Sequence, residues 1–186
     1  MNSRRYPYYE RQWRKFMFSF FDYMPMKKRN ATDEEWKVRK LIWAFKDGKA
    51  FQEVAKLVAD KIVNLYGAAA KDIVFACIPA SSAEKNERRY RQFSELVCQL
   101  SGANNAYQHI EVEGERLAIH EMKGAKKIQN VEVINFDKEF FKGKKVLIFD
   151  DILTRGFSYA RFANQIEKFG ADVLGGLFIG KTALIQ

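Results

Sequence analysis

The sequence predicts an α/β protein with a central parallel β-sheet flanked by helices. Three observations carry that expectation. Nearly continuous apolar runs at Asp72–Ile78, Val146–Phe149 and Val173–Ile179 have the β-branched, two-sided character of buried strands. Between them lie stretches whose apolar residues recur at helical spacing, the mark of a helix with one buried face. Glycine or proline punctuates the changes of period, at Gly48, Gly67, Pro79 and Gly102. Strands that alternate with helices pair in parallel through right-handed crossovers.

Taken in order, residues 6–23 come first and are dense in aromatics, with Tyr8, Tyr9, Trp13, Phe16, Phe18, Phe20 and Phe21 among basic side chains. Such a segment either buries its rings against the domain or a second subunit, or stacks them on single-stranded bases. Pro25 and residues 27–30 read as a linker, so 1–30 is expected to be a separate basic aromatic segment ahead of a domain spanning 31–186. Thr32 and Glu35 have the spacing of a capping box, and Val38, Leu41, Ile42 and Phe45 mark the helix it opens. Gly48 ends that helix. Phe51, Val54, Ala55, Val58, Ile62 and Leu65 form the stripe of a second, which stops at Gly67.

After the first strand, Pro79-Ala80-Ser81-Ser82 breaks the chain and a third helix runs to about Leu100, with Gly102 as its cap. Ile110–Val112 and Leu117–Ile119 are candidate short strands, residues 122–130 turn polar and basic, and Val131–Phe136 is expected to be extended. Tyr159, Phe162, Ile166 and Phe169 define a last helix between the final two strands.

Bulk composition narrows the class. With 186 residues and 47% hydrophobic side chains the chain can bury one sizeable core. No apolar run approaches the roughly 18 residues that span a bilayer, so no membrane partner is expected. Met1 is followed by basic residues and Tyr instead of an apolar stretch, so no signal peptide is expected. Cys77 and Cys98 lack metal-ligand spacing, which fits a reduced, cytoplasmic protein. His109 and His120 have no partner pattern and read as structural.

Lys and Arg total 32 against 23 acids, a net charge of +9. The first 30 residues hold eight of those cations against Glu10 and Asp22, a local +6. That excess suits a polyanion: a polyphosphorylated metabolite, a nucleic acid or an acidic surface.

The most informative stretch is 144–158. It reads as a strand that delivers Asp150 and Asp151 into a loop closed by Thr154, Arg155, Gly156, Phe157 and Ser158, with a helix beginning at once. A strand-to-helix junction offers free backbone N–H groups and the positive end of a helix dipole, which suits a phosphate. Two acids beside it suit the hydroxyls of a ribose 5-phosphate. One Asp would suffice for a helix cap alone, and would leave Gly156 and Ser158 unexplained.

A second segment, Gly175-Gly176-Leu177-Phe178-Ile179-Gly180-Lys181-Thr182, matches the letters of a Walker A loop. It lacks the architecture. That motif needs a flexible loop opening a helix, whereas Gly176–Ile179 is apolar and strand-like, and four residues follow Thr182.

Residues 146–158 resemble the phosphoribosyl-pyrophosphate signature of the type I phosphoribosyltransferases: four apolar residues, two acids, two variable, Thr, one variable, Gly, one variable, then Ser or Thr. Residues 41–48 resemble the "apolar helix, Lys, Gly" stretch of the competence-associated ComF-like subgroup. Phe75–Pro79 with Lys85, Arg88, Arg89 and Tyr90, and the run from Asn130 to Phe136, resemble other parts of it. The resemblance covers residue 38 onward. The paired cysteines of that subgroup's N-terminal zinc ribbon are absent here, and its Arg-rich stretch before the Asn is replaced by residues 123–129.

This resemblance implies a type I phosphoribosyltransferase fold with a small N-terminal helical hood region, the residues before about 70 forming or supporting the hood. It implies a glycosyltransferase of nucleotide metabolism that uses phosphoribosyl pyrophosphate and magnesium, transfers ribose 5-phosphate to an unidentified nitrogen acceptor and releases pyrophosphate. Asp150 and Asp151 would be catalytic, holding the ribose hydroxyls and the charge that develops at C1. Residues 154–158 would wrap the 5-phosphate. Ala80, Ser81, Ser82 and Lys85 would face the pyrophosphate, and Lys123, Lys126 and Lys127 would belong to a mobile loop over it. Magnesium would come with the pyrophosphate near the two acids, with no ligand set of its own. The alternative is a non-enzymatic module that senses the sugar phosphate or a nucleotide, or handles DNA, binding single strands through residues 1–30. A homodimer through that segment is a third expectation.

Overall fold

A computed structural model of the chain describes residues 6–26, 30–113 and 133–183. Along them run α1 (Pro7–Trp13), β1 (Phe16–Tyr23), α2 (Asp33–Lys46), α3 (Phe51–Tyr66), β2 (Ile73–Cys77), α4 (Ala83–Ser101) and β3 (Asn104–Asn105). Then come β4 (Ile110–Glu113), β5 (Val133–Phe136), α5 (Lys138–Phe141), β6 (Lys145–Leu153), α6 (Phe157–Glu167) and β7 (Asp172–Thr182). Five of the strands form one all-parallel sheet in the order β1-β7-β6-β2-β3. β4 and β5 make a separate antiparallel ribbon, Ile110 opposite Phe136.

Helices cover both faces, and period-two alternation assigns the sheet residues between them. Phe75, Leu147, Phe149, Leu177 and Ile179 pack against Ile42 and Phe45 of α2, Val58 and Ile62 of α3, and Phe93 and Val97 of α4. Val74, Ala76, Val146, Ile148, Val173 and Phe178 pack on Tyr159, Phe162, Ala163 and Ile166 of α6. The stripes of α2 and α3, expected to support a hood, pack into the main core: Ile42, Phe45, Ala55, Val58 and Ile62 are 0% exposed, while Leu65 at the end of α3 is 39% exposed. The capping box forms as its spacing predicts, with Thr32 Oγ1 accepting from the Glu35 amide and Glu35 from the Thr32 amide. Among the described residues no helix is long and apolar enough to cross a membrane.

The N-terminal segment is not set apart from the domain. β1 is an edge strand, pairing along its length with β7, and Phe18, Phe20, Phe21 and Tyr23 pack on the α2–α4 layer. Lys61 of α3 lies over the Phe18 ring, 3.7 Å from its centroid. The Walker A look-alike is explained by this packing. Gly175 faces Phe16 across the β1–β7 pair, and a Cβ there would stand 2.1 Å from the Phe16 carbonyl oxygen. Gly176 is closed in by Phe178 and Tyr159. These glycines let strands and rings approach; they form no loop.

Candidate functional site at the ends of the central strands

The chain leaves β2 through α4 toward β3 on one side, whereas β6 and then β7 lie on the other. The carboxyl ends of β2 and β6 therefore flank the point where the winding reverses, the place where open parallel sheets bind ligands. The Ile78 amide still donates to the Phe149 carbonyl at 2.9 Å. Past that bond β2 turns away, while β6 continues to Leu153 paired with β7. The strand thus runs four residues past the end of its apolar run. Asp150 and Asp151 belong to it, at the step where the sheet opens.

Asp151 is buried, 7% exposed, and Asp150 is half-buried with its Oδ1 accepting the Asp151 amide at 2.8 Å. Two helices send cations to Asp151. Arg89 of α4 donates from Nη1 to Oδ2 at 2.9 Å, and Lys46, the last residue of α2, places Nζ 3.6 Å from Oδ1. Burial, then the neighbouring Asp151 charge, push the Asp150 carboxyl well above the usual carboxylate range, and Lys46 and Arg89 offset only part of that. Arg89 Nε and Tyr90 Oη are buried with no hydrogen-bond partner among the described residues.

The loop after β6 is built on Gly156. It is buried, has φ +73°, and is the residue from which α6 starts. Thr154, Arg155 and Ser158 are exposed beside it. A Cβ at Gly156 would meet the Trp13 indole nitrogen at 2.8 Å, so the left-handed backbone and the close ring both demand glycine. The first-turn amides of α6 open beside the loop.

Across the crevice, Ser82 caps α4 by accepting the Lys85 amide at 3.3 Å, and the Ala80 amide donates to Asn86 Oδ1 at 3.0 Å. Ala80 and Ser82 are buried, and Ser81 and Lys85 half-buried. A cavity of about 520 Å³ reaches from Ile78 and Pro79 to Ser158 and Arg161 of α6, with Ile134 and Phe136 as an apolar wall. Cys77 lies at the base of the β2 turn, and burial keeps its thiol neutral, so it is no candidate nucleophile.

The structure brings the β2 turn, the acid pair and the 154–158 loop together. Lys123, Lys126 and Lys127 lie outside the described residues. So do residues 1–5, 27–29 and His120. His109 stacks on Phe140 with centroids 3.5 Å apart and pairs with Asp137 at 2.9 Å. From the sequence Lys46 and Arg89 enter only as parts of stretches that carry the resemblance, and neither is given a role beside Asp151. Arg89 stands one helical turn after Lys85 beside the buried Tyr90, a pattern that marks a cation drawn toward the core. Lys46 ends its helix, where a cation is stabilised anyway, so its spacing signals nothing further.

No family model matches the chain, and no curated protein does. Solved structures that resemble it include adenine phosphoribosyltransferase from Saccharomyces cerevisiae, at 16% identity and a TM-score of 0.45, covering 71% of this chain and 69% of that one. A hypoxanthine-guanine phosphoribosyltransferase from Bacillus anthracis matches at 13% identity and a TM-score of 0.42, over 73% and 72% of the two chains. Phosphoribosylpyrophosphate synthetase from Mycobacterium smegmatis matches at 18% identity and a TM-score of 0.39; the alignment takes 67% of this chain but spans only 33% of that protein. Likenesses this low add nothing to what the strand order and the 150–158 loop establish.

Proposed function

We propose that this chain binds phosphoribosyl pyrophosphate at the β2–β6 crevice and transfers its ribose 5-phosphate to a nitrogen acceptor. The observation that carries the reading is the continuity of one segment. β6 carries two acids at the winding reversal and ends at Leu153, and three residues later a left-handed glycine starts a helix. The first-turn amides of α6, with Thr154 and Ser158, would hold the 5-phosphate. The Ala80–Ser82 turn and the N-terminus of α4 would receive the pyrophosphate, with Lys85, Arg89 and Lys46 as its countercharges. The acceptor nitrogen forms its bond to C1 as the C1–oxygen bond to pyrophosphate breaks. Pyrophosphate leaves with the electron pair, and the nitrogen loses a proton. Charge at C1 would be stabilised by the acid pair, which stays fixed while the sugar reacts.

Among the described residues no group of three or more His, Cys, Asp or Glu could hold a metal alone. That donor set fits magnesium arriving on the pyrophosphate, since the ion accepts one or two carboxylates alongside phosphate oxygens and water. Asp150 would be its protein contact, because Asp151 is engaged by Arg89 and Lys46. Magnesium would offset phosphate charge.

The test is pyrophosphate release from phosphoribosyl pyrophosphate, measured with magnesium against a panel of nitrogen heterocycles and amines. Release should require an acceptor and collapse in the Asp150→Asn/Asp151→Asn double variant. Tight donor binding with no release from any acceptor would favour the second reading, a sensing module. One observation supports that reading: Asp151, one of the two acids assigned to the sugar, is already paired with two cations.

A further inference from the structure

Resting on the donor reading above, we infer that Trp13 is a positioning residue for the phosphate loop, and that the N-terminal helix α1 serves as its brace. The Trp13 indole Nε1 donates to the Gly156 carbonyl at 3.0 Å, across 143 positions of sequence. The same carbonyl accepts the Ala160 amide at 2.9 Å, the first bond of α6. A peptide is planar and trans, so its oxygen and its N–H point in opposite directions. Fixing the Gly156 oxygen from two sides therefore aims the Phe157 N–H, a free first-turn donor, out of the helix toward an anion. Around this bond, Tyr6, Tyr9 and Trp13 all meet the Phe157 ring, at centroid distances of 5.0, 5.5 and 5.3 Å.

α1 is held for this task by contacts to α6, and its flanking Lys15 also donates to the Val173 carbonyl of β7 at 2.6 Å. Gln12, fully buried, donates to Asn164 at 2.8 Å and to Glu167 at 2.6 Å. Asn164 in turn donates to the Tyr8 carbonyl at 3.1 Å, and Arg11 and Lys15 both pair with Glu167. The far end of α6 is thus anchored by ions and amides, and its N-terminus by one indole. Seven residues of α1 and its flanks contact this one helix. The aromatic, basic composition of this segment then has a mechanical reason: rings brace the loop and cations grip Glu167.

The experiment titrates ribose 5-phosphate and, separately, inorganic pyrophosphate into the full chain by calorimetry, for wild type, Trp13→Phe and Glu167→Gln. Trp13→Phe keeps a ring against Phe157 and leaves the Gly156 carbonyl its Ala160 bond, so it should fold. Its affinity for ribose 5-phosphate should fall about three- to tenfold, the worth of one hydrogen bond, with pyrophosphate unchanged within about twofold. Glu167→Gln should lower the melting temperature and leave both affinities within about twofold. A Trp13→Phe variant that binds ribose 5-phosphate like wild type, or loses both ligands equally, overturns the positioning role while the donor reading stands. Equal losses in Glu167→Gln and Trp13→Phe also overturn it, since docking of α1 would then be all that matters. A wild-type chain that binds neither probe overturns the donor reading, and the positioning role with it.

Discussion

Arg89 and Asp151 meet at 2.9 Å under the mouth of the crevice, in side chains only 16% and 10% exposed. One comes from the second turn of α4 and the other from the end of β6, so the bond ties the β2 turn to the strand that precedes the loop. With Lys46 on the other carboxylate oxygen, the pocket presents cations where the sequence alone promised two acids.

Breaking such a pair from one side leaves a buried charge without its partner. Arg89→Met should therefore cost about 3–5 kcal/mol of stability. The Arg89→Met/Asp151→Asn double variant should cost less than the sum of the two single changes. Urea denaturation of the three variants measures the coupling. Strict additivity would show that the pair contributes nothing as a pair.

Asp150 carries a pH signature. Its carboxyl is raised well above the ordinary carboxylate range by burial and then by the Asp151 charge. A group whose folded pKa lies above its unfolded value keeps its proton longer in the folded state. The folded state then binds more protons than the unfolded one above the ordinary carboxylate range, so stability falls as pH rises through that window. Asp150→Asn keeps an acceptor for the Asp151 amide and removes the titration. It should be more stable than wild type at pH 7, by on the order of 1–2 kcal/mol, and should lose the advantage near pH 3. Thermal melts across that range decide it; parallel curves would refute the raised carboxyl.

Much of the layout was legible because its signals are local. The capping box at Thr32, the stripes of α2 to α4, the β2 and β7 runs and the acid–glycine spacing after β6 all lie within a few residues. β1 was not legible. Its signal is the pairing of Phe16–Tyr23 with β7, more than 150 residues away, and its mixture of aromatic, Ser, Met and Asp residues has no clean alternation. α1 is two turns long and owes its place to α6, not to helix propensity. Lys46 and Arg89 converge on Asp151 only once α2 and α4 have packed on the sheet, so no spacing could announce the site's charge.

Gly175 tests why a Walker-like string exists in this strand. A Cβ there would press on the Phe16 carbonyl at 2.1 Å, so Gly175→Ala must push β1 off β7. A cost of at least about 2 kcal/mol is expected, in line with backbone overpacking, with hydrogen exchange rising in β1 before β6. ATP affinity should be negligible in wild type and variant alike. Measurable ATP binding lost in Gly175→Ala would restore the phosphate-loop interpretation of residues 175–182.

Gly156→Ala asks how closely the loop's shape and its proposed chemistry are joined. The substitution is strained twice over. A φ of +73° is unfavourable for alanine, and the new methyl would lie 2.8 Å from Trp13 Nε1. Relief comes from moving the Gly156 peptide, which starts α6, or from swinging the Trp13 ring away, and either one loosens the indole bond. A stability loss of about 1–3 kcal/mol is expected. Ribose 5-phosphate binding should be lost beyond what the stability change explains, and pyrophosphate binding at the β2 turn should survive. If instead both ligands are lost together while the far-ultraviolet circular dichroism stays native, the two halves of the crevice form one site. The division of the donor between the α6 loop and the α4 turn would then be wrong.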